Sequence, residues 1–251
     1  LNTRVELAQV ARPMRLRLLE RLMLAGVTVA DPDTTYVDSA VEVGRDTVIE
    51  PQTHLLGRSL VGERCTIGPM TVISDVRIGD ETTIIQSRVC SGEIGSRVRI
   101  GPFANIRPGC RICDGAKIGD FVELKNANIG EGVAASHLSY IGDADIGAGT
   151  NVGAGTITCN YDGYHKHRTV VGTRAFIGSH TTLVAPVRVE DGALTAAGTV
   201  VTEDVPGNGM AIGRSKQVNK DGWALRWREA HERHRARTEA SRNDAGERES
   251  E

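Results

Sequence analysis

Aliphatic residues recur every six positions through most of this chain, often with glycine next. Val43, Ile49, Leu55, Val61, Ile67 and Ile73 keep that step, as do Ile94, Ile100, Ile106, Ile112, Ile118 and Leu124. It resumes at Val171 and runs on through Ile177, Leu183, Val189, Thr195 and Val201. The fifth place of each six is usually small or β-branched, as at Thr47, Thr53, Cys65, Thr71, Ala104, Ala116, Thr181 and Ala193. An amphipathic helix needs a 3.6-residue period and a half-buried strand needs alternation, so neither produces a step of six. A parallel β-helix does. Each six residues supply one short strand and a corner, and three such repeats close one coil. Coils stack ~4.8 Å apart through backbone hydrogen bonds, so roughly nine of them make a rod on the order of 40 Å long.

The flanks read differently. From Leu1 to Ala25, Leu7, Val10, Met14, Leu18 and Leu22 recur at helical spacing, with Gly26 as the stop. Pro13 predicts a break or kink, so two short helices fit the pattern as well as one. The opening lacks a methionine and suggests a piece of a longer protein. Thr158–Thr169 (TCNYDGYHKHRT) holds no six-residue rhythm and reads as a polar loop thrown out from one corner. The rhythm ends after Arg214, and Gly222, Trp223 and Trp227 precede a Glu229–Glu251 tail with little to bury. That composition predicts disorder. The expected organisation is a helical segment at 1–26, a β-helix at 27–213, and an arm with a disordered tail at 214–251.

Composition narrows the class. Aromatic residues are only 4 % of the 251 while glycine reaches 29, which favours a turn-dense repetitive fold over an ordinary core. A net charge of −2 gives no reason to expect nucleic acid or a membrane surface as partner. Five cysteines (Cys65, Cys90, Cys110, Cys113, Cys159) form no paired metal spacing, and they read as small packed residues in a reducing compartment. No apolar run is long enough to span a bilayer, so the expected location is the cytoplasm.

Stacking turns spacing into candidate chemistry. Arg107 and Lys125 are 18 positions apart, each just after the aliphatic residue, where glycine often stands. Two cations so stacked, about 5 Å apart, repel unless an anion lies between them, which points to a phosphate or carboxylate. Two repeats between Leu124 and Val152 are one residue short. If the polar loop substitutes for one whole face, His137, Ala154, Ser179 and Ala197 share a column. A histidine then heads a track of small side chains, a groove suited to a thin extended ligand. His165 and His167 lack a third ligand at metal spacing and read as solvated.

The strings FVELKNANIG, SHLSYIGDADIGAGTNVGAGTITCNYDG, IGPFANIRPG and IGSHTTLVAPV resemble the carboxy-terminal domain of one bacterial family. This is the bifunctional N-acetylglucosamine-1-phosphate uridylyltransferase/glucosamine-1-phosphate acetyltransferase family. The resemblance implies an all-β fold, a left-handed parallel β-helix, and N-acetylation of glucosamine-1-phosphate by acetyl-CoA in UDP-N-acetylglucosamine synthesis for the cell wall. It implies His137 as general base and Arg107, Lys125, Tyr140, Asn151 and Lys166 as contacts to the sugar phosphate. Ala154, Asn160, Tyr161, Ser179, Ala197 and Arg214 are the implied acetyl-CoA contacts, and Glu123 is a candidate to orient the imidazole. The family's amino-terminal Gly-rich nucleotide loop is absent, so uridylyl transfer and its magnesium are expected to lie outside this chain. Homotrimers with sites between rods are implied too, since a narrow rod offers convex faces. Rival readings are another hexapeptide acyltransferase, a three-histidine carbonic anhydrase, and a non-catalytic scaffold.

Overall fold

A computed structural model describes residues 2–248, which divide into two units between Arg214 and Ser215. In the first unit, short parallel strands wind into a left-handed parallel β-helix of about ten turns. Eleven strands stack on one face, from Thr28–Val29 to Met210–Ala211, and the rest cover the other two faces. The coil therefore begins before the first clear six-residue step. Val29 and Val37 already point inward there.

The inward position repeats as the period dictates. Ile49, Ile67, Ile84, Ile100, Ile118 and Ala135 form one such column, each at or near zero exposure. Each fully buried aliphatic contributes on the order of 1.5–3 kcal/mol relative to exposure. The fifth-place Thr47, Thr53, Thr71 and Thr181 are buried too, and their hydroxyls find backbone acceptors. Thr47 Oγ1 donates to the Gly62 carbonyl at 2.8 Å and Thr82 Oγ1 to that of Gly95 at 2.8 Å.

The amino-terminal segment is one helix, α1 (Arg4–Leu24), running through Pro13 without a break. Thr3 caps it, accepting from the Glu6 amide at 3.1 Å while the Glu6 carboxylate accepts from the Thr3 amide at 3.3 Å. Pro13 removes one helical hydrogen bond, but residues 4–14 are exposed, so water is at hand for the freed carbonyl of Gln9. Leu19 and Leu22 are buried and join the core of the first coil, which closes an otherwise open sheet end.

In the second unit, α2 (Trp223–Arg248) is helical where composition predicts disorder. Every described side chain on it, through residue 238, is exposed. Its polar composition leaves it nothing to bury, as that exposure shows. Ala, Arg and Glu nonetheless favour helical backbone, which needs no core to bond itself. No described helix is long and apolar enough to cross a membrane.

Candidate active site

Strand register places the candidate base. Ile118, Ala135, Val152, Ile177 and Thr195 stack on the eleven-stranded face. Two residues further along each strand come Asp120, His137, Ala154, Ser179 and Ala197, so the anticipated column exists and Asp120 extends it by one tier. Backbone bonds fix the tiers: the His180 amide donates to Ala154 O at 2.7 Å and the Gly198 amide to Ser179 O at 2.8 Å. Ser179 and Ala197 are exposed and Ala154 is half-buried. Arg214 closes the far end, its Cδ 4.0 Å from where a Cβ on Gly198 would lie.

The His137 imidazole is exposed, and its Nδ1 lies 2.9 Å from Asp120 Oδ1. Glu123 does not orient it. That carboxylate accepts from Arg107 at 2.9 Å, and the contact raises the guanidinium's pKa above its ordinary value. Asp120, and not Glu123, meets the imidazole, because it is the direct strand partner of His137 while Glu123 pairs with Tyr140 on the next face.

The cations gather on that next face. Arg107 and Lys125 follow Ile106 and Leu124, which are register partners. The loop adds a third cation. It leaves after Cys159 and rejoins at Thr169, and Tyr161 pairs antiparallel with Lys166 at its neck. Lys166 lies against Lys125, and the neighbouring ammonium pulls its pKa below the usual lysine value. The loop is an insertion and replaces no face. Val170 and Val171 still pair with Asp145 and Ile146, so the coil's third side is intact.

Under the cations lies a buried carboxylate that sequence reasoning did not single out. Asp143 accepts from Asn126 Nδ2 at 2.6 Å and from Asn160 Nδ2, and its Oδ2 lies 3.9 Å from Lys125 Nζ. Burial pushes its pKa up, but the two amide donors and the charges of Lys125 and Lys166 outweigh that and hold it below the ordinary carboxylate value. A sequence signal existed. The two shortened repeats turn their corners on single left-handed residues, Asn126 (φ 47°) and Asp143 (φ 48°), a conformation Asn and Asp tolerate best after glycine. Asn160 also reaches the Tyr140 hydroxyl at 3.5 Å, joining loop to face.

The loop is tied internally. Asp162 accepts from the Tyr164 amide at 2.8 Å, the His165 amide at 2.6 Å and His167 Nε2 at 2.7 Å, contacts that hold its carboxyl well below the usual range. His167 is therefore paired and only His165 matches the solvated expectation. Arg168 anchors the loop's return through both oxygens of Asp145. Tyr161 is exposed, its hydroxyl turned back to the Gly163 carbonyl at 2.5 Å.

One rod does not bring everything together. His137 and the cation group lie on two sides of a convex corner occupied by exposed Leu138. Asn151 sits three residues before Ala154, about 10 Å back along the strand and away from the cations.

Comparison with known proteins fits this architecture. The family "Bacterial transferase hexapeptide (six repeats)" matches residues 91–126. The bifunctional protein GlmU of Thermotoga petrophila is 51 % identical over 227 residues, 90 % of this chain and 51 % of that protein. GlmU of Carboxydothermus hydrogenoformans is 51 % identical over 222 residues, 88 % of this chain and 50 % of that protein. A solved structure of LpxA, a UDP-N-acetylglucosamine acyltransferase from Bacteroides fragilis, is 18 % identical with a TM-score of 0.39, covering 72 % of this chain and 70 % of that one. This chain spans about half the length of the curated relatives it matches. Over 90 % of its length it is a homologue of the bifunctional GlmU proteins, and it corresponds to their carboxy-terminal hexapeptide-repeat domain.

Proposed function

We propose that this chain transfers the acetyl group of acetyl-CoA to the 2-amine of glucosamine-1-phosphate, giving N-acetylglucosamine-1-phosphate and free CoA. The observation that carries this reading is the column Asp120–His137–Ala154–Ser179–Ala197 standing beside the Arg107, Lys125 and Lys166 cations. Arg107, Lys125 and Lys166 outnumber the Glu123 and Asp143 carboxylates beside them, which leaves positive charge for an anion such as a sugar phosphate. A track of small side chains ending at Arg214 suits a thin pantetheine arm, with the arginine near the coenzyme's phosphates. Asn160 reaches the Tyr140 hydroxyl at 3.5 Å, and in this reading Tyr140 lines the path from phosphate to thioester.

In this reading the neutral sugar amine attacks the thioester carbonyl. A C–N bond forms, the carbonyl pair moves to oxygen, and His137 Nε2 accepts the amine proton. A backbone amide of the track, such as that of Ser179, faces the developing oxyanion. The carbonyl then re-forms, the C–S bond breaks, and CoA leaves as thiolate and takes up a proton. Direct transfer within a ternary complex needs no acyl-cysteine.

The working enzyme in this reading is a homotrimer. A second rod supplies the concavity that one convex corner lacks, and Asn151 serves a neighbouring rod's site. Support comes from the exposed apolar ladder on the same corner, where the Phe103 and Phe121 rings stack 5.5 Å apart next to Leu138. A cytoplasmic location follows from the substrates. The test is thiol release from acetyl-CoA with a panel of amino acceptors. Glucosamine-1-phosphate should be preferred over glucosamine by at least the roughly 10-fold that one charge-assisted phosphate contact confers. Equal rates with unphosphorylated amines would overturn the phosphate assignment.

A further inference from the structure

We propose that Asp120 is the positioning residue of the His137 base, fixing which ring nitrogen faces the substrate amine; this rests on the reading of His137 as base. On the eleven-stranded face the strands are two residues long except Lys117–Asp120 and Ala134–His137, which are four. The ladder lengthens only here, and its last register pair is Asp120 with His137. Gly119 makes the approach feasible, because a Cβ there would lie 1.9 Å from the Ser136 carbonyl oxygen. The Leu138 amide donates to the Asp120 carbonyl at 2.9 Å, so both backbones are held on either side of the pair.

The side chains use that fixed geometry. A carboxylate can only accept, so the 2.9 Å contact puts the hydrogen on His137 Nδ1. The neutral ring then carries its lone pair on Nε2, the atom the acetyl transfer requires, and once Nε2 has taken the amine proton the carboxylate faces an imidazolium. Glu123 cannot do the same, since Arg107 holds it on the adjoining face. The pair is open to solvent (63 % and 41 % exposed side chains), so it contributes little to stability as an ion pair. Its consequence is the direction of the ring.

The test uses the whole chain labelled with 15N-histidine, free of substrate, with Asp120→Ala and Asp120→Asn beside wild type. The His137 ring nitrogens of the wild type should read as protonated Nδ1 and bare Nε2 at a pH where the ring is neutral. Asp120→Ala should give a tautomer mixture, and Asp120→Asn, whose amide oxygen still accepts, should recover much of the Nδ1–H form. In thiol-release kinetics Asp120→Ala should lose roughly 10–100-fold in kcat, short of the 10²–10⁴ a general base supplies, with both KM values unchanged. A wild-type ring protonated on Nε2 would overturn the proposal, as would a tautomer indifferent to Asp120 or full kcat in Asp120→Ala. The nitrogen shifts do not depend on turnover. Full turnover by His137→Ala beside an Asp120-dependent tautomer would therefore mark failure of the base reading, not of the hydrogen bond.

Discussion

Lys125 Nζ stands 3.9 Å from Asp143 Oδ2, and the same buried carboxylate takes hydrogen bonds from Asn126 and Asn160. One anion thus straps together a coil strand, the corner beneath it and the base of the loop. The cations above it are held in place before any ligand arrives, so little ordering remains to be done on binding.

Lys125→Ala removes one of the phosphate contacts. A charge-assisted contact contributes about 1.5–3 kcal/mol, so the KM for glucosamine-1-phosphate should rise roughly 10- to 150-fold. The KM for acetyl-CoA should stay put. Substrate titrations on the folded variant check both values, and an equal rise in the two would show that the cations do not serve the sugar alone.

Asp143→Asn should show a pH-dependent stability loss. The carboxyl's native pKa lies below its ordinary value near 3.8, so its ionised form favours the folded state. That contribution is complete above the ordinary value and disappears as pH falls through the lower native one. The variant should therefore melt below wild type at neutral pH, and the gap should close as the solution is acidified below about 3.8. Thermal melts across that range provide the comparison. A gap that widens on acidification would mean burial, and not the amide donors, dominates at this corner.

Ala197→Leu should act on the other substrate. A branched side chain in the exposed track fills the space proposed for the coenzyme arm, raising the KM for acetyl-CoA while leaving that for glucosamine-1-phosphate near wild type. Circular dichroism guards against misfolding. If Ala197→Leu and Lys125→Ala impair the same substrate, the division into two columns is wrong.

Phe121→Glu places a charge on the stacked corner pair. Sedimentation should show wild type as a trimer and the variant shifted to monomer with its coil intact, and activity should fall with the trimer. A fully active monomer, from either protein, would contradict shared sites.

How much of this was legible in the sequence depends on what each residue's place was set by. The six-residue step fixes which residues point inward, but the column through His137, Ala154, Ser179 and Ala197 also needs a judgement about the loop, which is an insertion and does not replace a face. Counting alone pairs Arg107 with Lys125. It does not say which carboxylate meets the imidazole. Asp120 and Glu123 are both close in sequence to the site, and only the lengthened strand ending at Asp120 decides between them. Asp143 was hidden for a related reason: it occupies a corner where a side chain ordinarily points to solvent, and the inserted loop is what buries it. Pro13 left one helix or two open, and one forms because water can reach the freed carbonyl, while the described part of the terminal segment buries nothing and its helical backbone answers to local propensity.

The central claim is that His137 takes the proton of the attacking amine. Thiol release by His137→Ala, measured at saturating glucosamine-1-phosphate and acetyl-CoA near neutral pH, tests it most directly. The account predicts a kcat lower by about 10²–10⁴, with both substrates still binding at near wild-type concentrations. A kcat within a few-fold of wild type would contradict it and return the column to a structural role.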